Sequence, residues 1–202
     1  MRGKLIVIEG TDGAGKSTLS ESLSENISKQ HHLVRYAEPG GTAAGEQIRW
    51  MIKNSAMPIN DQAEALLFAA ARAQLASQIE EDLHAGSWVL LDRWVYSSIA
   101  YQGAARGLGM KAVEDLNRWA TGGLRPDLWI YLRLTAEEAV ARRGTRGETI
   151  DRIEQEGEEF FAAVSEAYER LAAEDPDAIV LNAHMAPDKL SAAAWKQIQG
   201  LS

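Results

Sequence analysis

Apolar positions in this chain gather in short runs, one of them carrying Arg35, separated by stretches of helical length. Residues 5–8, 33–36, 88–91 and 128–132 form such runs, and 178–181 make a fifth. A run of four or five apolar residues without polar alternation fits a strand buried on both faces. Helix-length segments begin at Lys16, Asp61, Glu114, Ala136, Ile153 and Pro187, and a further helical stretch carrying Arg49 follows the second run. The segment from about Asp61 to His84 is long and rich in Ala and Leu. Pro58 and the Asn60-Asp61 pair mark its start, and Gly86 closes it. Strand alternating with helix demands crossover connections, and so predicts an α/β fold with a parallel sheet of about five strands flanked by helices. No repeat, low-complexity tract or domain-separating linker interrupts residues 1–202, which predicts a single domain.

The first run leads straight into Gly10-Thr11-Asp12-Gly13-Ala14-Gly15-Lys16-Ser17-Thr18. A buried strand, a glycine-rich turn and a following helix aim backbone N–H groups at an anion, and the helix dipole adds to the attraction. Lys16 is then placed to reach β- and γ-phosphates, and the Ser17 hydroxyl to take a position on Mg²⁺. The pattern predicts binding of a nucleoside triphosphate.

Composition narrows the partners. A formal net charge of −8 argues against a nucleic acid or an anionic membrane, either of which favours a basic face. Hydrophobic residues at 46% and charged residues at 25% are ordinary for a soluble globular protein. With no cysteine, disulfides and thiolate metal sites are impossible. Met1-Arg2-Gly3-Lys4 passes directly into a strand too short for a signal or membrane segment, so a cytoplasmic protein is expected.

Ligands of such sheets sit beyond the carboxyl ends of the strands. After the third run stand Asp92 and Arg93; an acid there is the usual second partner of Mg²⁺ in a phosphate-loop protein, and the arginine suits a second anion. After the second run comes the rigid turn Glu38-Pro39-Gly40-Gly41-Thr42. Phe68 and Arg72, four apart, share one helix face and can stack on a base and bond its edge. Ser97-Ser98-Ile99-Ala100-Tyr101-Gln102 offers a second polar and aromatic set close in sequence to Asp92. Arg142-Arg143-Gly144-Thr145-Arg146-Gly147-Glu148, with Asp151-Arg152, is a basic glycine-containing segment in an acidic protein and reads as a lid over about 142–152. Read singly, these sets pass for a structural ion pair, a turn, a core aromatic or a solvated linker. Their combination is what points to phosphoryl transfer.

In this order the motifs resemble the thymidylate kinase family, from Ile8-Glu9-Gly10 to about Leu181. The resemblance rests on the phosphate loop with Asp12, on Glu38 to Thr42, Phe68 to Arg72, Asp92-Arg93 and Ala100 to Gly103, and on Arg125-Pro126-Asp127-Leu128 and Asp151-Arg152-Ile153-Glu154. It implies that Asp12 meets the 3′-hydroxyl of dTMP, that Arg49 and Arg93 hold the acceptor phosphate, and that Phe68 stacks on thymine. It also implies that Arg72 donates to O4, that Ser98 lies near N3, and that Tyr101 crowds the 2′ position. Glu38, Pro39, Ser97 and Gln102 complete the expected dTMP site. Arg142 or Arg143 is expected to stack on adenine near Asn182-Ala183. Gly13 stands where some members carry a loop arginine, so the chain resembles the bacterial type whose catalytic arginine lies in the lid, here Arg146. A homodimer is implied as well. Ala37, Ser98, Arg133 and Ala136 depart from frequent family choices.

The expected reaction passes the γ-phosphoryl of ATP to dTMP, with Lys16, Asp92, Arg93 and Arg146 as the catalytic groups and Mg²⁺ as cofactor. The acceptor phosphate has a second pKa of ~6, so no strong base is needed at neutral pH. Repulsion is the obstacle: one unit-charge pair at 4 Å costs about 4 kcal/mol at an effective dielectric of 20. The alternative within kinases is another pyrimidine deoxymonophosphate such as dUMP or a 5-modified relative. A regulatory GTPase would carry an Asn-Lys-x-Asp segment, which the chain lacks.

Overall fold

A computed structural model describes residues 1–54, 56–135, 138–139, 152–153 and 155–201. Five strands form one wholly parallel sheet: β1 (Leu5–Glu9), β2 (Leu33–Ala37), β3 (Trp88–Asp92), β4 (Leu128–Arg133) and β5 (Ala178–Asn182), in the order β2-β3-β1-β4-β5. Each apolar run is a strand, and each strand runs one residue past its apolar stretch. The added residues are Glu9, Ala37, Asp92, Arg133 and Asn182, four of them polar. They lie at the carboxyl edge, where a parallel sheet collects its ligands.

Helices cover both faces: α1 (Lys16–Ile27), α2 (Ala43–Lys53), α3 (Asp61–His84), α4 (Val95–Ser98), α5 (Met110–Ala120), α6 (Glu158–Glu174) and α7 (Pro187–Gln199). The Thr42 hydroxyl caps α2 by accepting from the Gly45 N–H at 3.0 Å, and Asn60 caps α3 by accepting from Ala63 at 2.8 Å. Two starting points differ from the sequence expectation. The helix expected at Glu114 starts at Met110, directly after Gly109 in a positive-φ conformation. The helix expected at Ile153 starts at Glu158, because Gly157 holds extended backbone and two acids occupy the first turn. Of the segment expected to start at Ala136, Glu138 and Ala139 are described and are helical, while Ala136 itself lies outside the described residues. A π-helical stretch, Ile99–Ala105, continues α4 and was not expected; single π turns often mark functional positions.

Alternation along β1 divides the interior in two. Leu5 and Val7 face Leu75, Trp94, Tyr101, Phe161 and Tyr168, whereas Ile6 and Ile8 face Leu19, Leu23, Ile130, Leu190 and Ile198. Among the described residues no helix is long and apolar enough to cross a membrane.

Candidate active site

The phosphate loop is built as its spacing predicts. Gly10 has φ 145°, and a Cβ there would stand 2.8 Å from the Leu132 carbonyl oxygen, so this turn requires glycine. Gly15, at φ 92°, delivers the chain into α1 with no side-chain cap, leaving the first-turn N–H groups to an incoming anion. The Lys16 ammonium donates to the carbonyls of Gly10 (3.1 Å) and Thr11 (3.0 Å) and lies 3.8 Å from Asp12. Burial and the neighbouring Arg93 hold its pKa below the usual lysine range.

Arg93 follows β3 with φ 71°, the one non-glycine residue described with positive φ. This conformation costs on the order of 1 kcal/mol and turns the side chain back over the phosphate loop. Its guanidinium donates to Asp12 Oδ1 (2.7 Å), Ser97 Oγ (3.1 Å) and the Tyr168 hydroxyl (3.3 Å), and lies 5.6 Å from the Tyr101 ring centre. Burial opposes the charge on Asp12, but Arg93 and then Lys16 outweigh it, and the carboxyl pKa falls below the ordinary range. Beneath them Glu9, wholly buried, accepts from the Trp94 N–H (2.8 Å), the Ser97 hydroxyl (2.7 Å) and the Tyr168 hydroxyl (3.0 Å). Burial raises its pKa even so.

A cleft of about 200 Å³ opens over these groups. Asp12, Gly13, Gly15, Lys16, Ser17, Asp92 and Arg93 line it, together with Glu38, Pro39, Arg49, Phe68, Ser97, Ser98, Tyr101 and Gln102. Arg49 donates to the Pro39 carbonyl at 2.7 Å, so the helix arginine also holds the turn after β2, whose Glu38–Pro39 bond is cis. Arg72 stands behind the wall, 1% exposed. Its Nε donates to Glu38 Oε2 at 2.6 Å, Nη2 lies 2.5 Å from the same oxygen, and Nη1 donates to Ser98 Oγ (2.7 Å) and to Asn117 Oδ1. Five N–H groups less these four leave one for another acceptor. Burial pushes the Glu38 carboxyl up to about 7, although Arg72 pulls the other way.

The thymidylate kinase family model matches residues 8–193. Similar proteins include the thymidylate kinases of Legionella pneumophila strain Paris, 38% identical over 98% of this chain and 95% of its own length, and of Latilactobacillus sakei, 45% identical over 89% and 86%. That of Caldanaerobacter subterraneus is 43% identical over 90% and 87%. The chain belongs to the thymidylate kinase family.

For a thymidylate kinase the cleft brings together Lys16, Asp92 and Arg93 with most of the expected acceptor residues, whereas Arg72 lies behind it and Gly10, Thr11, Ala14 and Thr18 do not line it. The lid arginines Arg142, Arg143 and Arg146 lie outside the described residues. A second cleft flanks the phosphate loop, lined by Ala14 and Gly15 of the loop, Thr18 of α1, Ala183 and His184 after β5, and Pro187 of α7. It stands next to the anticipated Asn182-Ala183 position. Sequence reasoning gave no role to Glu9, Glu64, Asn117 or Tyr168, and Arg72 turned out to be a residue behind the wall. A polar residue on a buried helix face was the only local signal for Asn117 and Tyr168. Two further buried oxygens, Thr11 Oγ1 and Asp92 Oδ1, have no hydrogen-bond partner among the described residues. Asp92 shares its cleft with Ser17, which suits a cation held by one carboxylate, one hydroxyl and substrate phosphates. No cluster of three acids or histidines offers a protein-only metal cage among the described residues.

Proposed function

We propose that the cleft carries out ATP-dependent phosphorylation of dTMP to dTDP, with each group in the role its position suits. The observation that carries this reading is the convergence of Lys16, Arg93, Asp92 and Arg49 on one cleft whose far end holds Phe68, Ser98 and Gln102. An acceptor phosphate between Arg49 and Arg93 faces the γ-phosphate held by the loop N–H groups and Lys16. An oxygen of the acceptor bonds to the γ-phosphorus as the bond to ADP breaks. Positioning and charge neutralisation supply nearly all the catalysis. Asp12, fixed by Arg93, accepts from the 3′-hydroxyl. Phe68 stacks on the base, the remaining Arg72 N–H serves O4, and Tyr101 disfavours a 2′-hydroxyl. Ser17 and Asp92 would hold Mg²⁺, which supplies charge neutralisation at the β- and γ-phosphates. The second cleft takes adenosine. Residues 1–202 act as one kinase domain with a lid over about 142–152, and Arg146 meets the transferring group.

The protein works as a cytoplasmic homodimer in this reading. Trp50 of α2 and Leu66 of α3, exposed on helices that pack together, support a covered face. A coupled ADP-release assay with ATP against the common nucleoside monophosphates tests the activity. The expected order is dTMP first, dUMP poor but measurable, since a missing methyl costs about 1–3 kcal/mol, and dCMP nearly inert. Comparable turnover of dCMP and dTMP overturns the acceptor assignment.

A further inference from the structure

Glu64 lies in the first turn of α3, wholly buried, one layer behind the acceptor cleft. Three side chains converge on its carboxylate, two from the π-helical stretch and its end and one from the turn at Arg152. Gln102 Nε2 donates to Oε1 at 2.8 Å, the Arg106 guanidinium lies 3.4 Å from Oε2, and Arg152 Nη2 donates to that same oxygen. Arg106 is itself held by Glu156, by Asp61 at 3.5 Å and over the Phe160 ring at 4.8 Å. Glu64 therefore cannot turn away from Gln102.

A carboxylate accepts and does not donate, so the Gln102 amide must point its nitrogen at Glu64. Its carbonyl oxygen has no hydrogen-bond partner among the described residues, and Gln102 lines the acceptor cleft with Phe68 and Ser98. We infer that Glu64 is a positioning residue for base selectivity: it locks the Gln102 amide so that an acceptor, not a donor, meets the pyrimidine edge. Such a site matches bases with an imide N3–H, thymine and uracil, and opposes the N3 lone pair of cytosine. The inference rests on the proposed acceptor role of the cleft and gives that role its chemical basis.

Glu64→Gln replaces an obligate acceptor with a group that can donate or accept, so the Gln102 amide can stand either way round. The ratio of kcat/KM for dTMP over dCMP should then fall about tenfold, the worth of one directed hydrogen bond. In a Gln102→Ala background the same change should move the ratio less than about twofold, since coupled residues are non-additive. Glu64→Asp keeps the charge for both arginines while withdrawing the acceptor by one methylene, and should lower the ratio with cooperative melting retained. It decides the matter if Glu64→Gln fails to fold. An unchanged ratio in the single variants, or an equal fall with and without Gln102, overturns the inference. Wild-type enzyme inert toward dTMP would instead sink the acceptor reading itself.

Discussion

Arg93 and Asp12, 81 positions apart in sequence, meet at 2.7 Å across the mouth of the cleft. One side chain arrives from the end of β3 and the other from the phosphate loop, so the pair ties the two anion sites together. A lysine preserves the charge but cannot serve Asp12, Ser97 and Tyr168 at once. Arg93→Lys should lower kcat/KM for dTMP by about 100-fold, or roughly 2.7 kcal/mol of transition-state stabilisation. Steady-state kinetics within a factor of about three of wild type would remove Arg93 from the acceptor site.

Asp92 has a buried oxygen without a hydrogen-bond partner among the described residues and so is suited to a cation. Asp92→Asn should raise the Mg²⁺ concentration for half-maximal activity about tenfold or more at fixed ATP. A superimposable magnesium titration would reassign Asp92 to a structural role.

Glu38 gives a pH signature. Its native pKa of about 7 exceeds the ordinary 4.5, so the folded state holds an extra proton between these values. Stability from this group is complete below about 4.5 and drains away as pH rises through about 7. Glu9 is shifted the same way but is common to both proteins compared. The Tm of wild type minus that of Glu38→Gln should therefore decline across this window. A difference independent of pH would contradict the assignment.

Arg146 lies between Gly144 and Gly147 in the basic segment. Arg146→Ala should cut kcat at least about 100-fold while the KM for dTMP changes little, as loss of a group acting mainly in the transition state requires. An unaltered kcat would move the role to another arginine.

Much of this arrangement was legible because it is local. Short apolar runs, four unbroken and one carrying Arg35, mark all five strands, and the loop at Gly10 to Ser17 sets its own conformation through glycine and the following helix. Helix starts failed where a turn intervened: Gly109 begins α5 earlier, and Gly157 delays α6. The polar layer beneath the site was not legible. Glu9 gains its partners from residues about 85 to 159 positions away, at Trp94, Ser97 and Tyr168, and no spacing rule connects them. Arg72 was found by its helix face, yet its commitment to Glu38, Ser98 and Asn117 depends on three separate elements meeting around it. The left-handed backbone of Arg93 is likewise imposed by its surroundings, since arginine alone does not favour it.

The odd and even residues of β1 stand back to back, and each set supports a different guest. The Leu5 and Val7 side underpins α3, the π-helical stretch and α6, and the first two carry Phe68, Tyr101 and Gln102 of the cleft proposed for the acceptor. The Ile6 and Ile8 side underpins α1 and α7, which line the second cleft, proposed for the adenosine of the donor. A packing defect on one side thus loosens the platform of one nucleotide before it reaches the other. Core substitutions on the two sides should therefore shift donor and recipient affinities separately, although both clusters hang on the same five-residue strand.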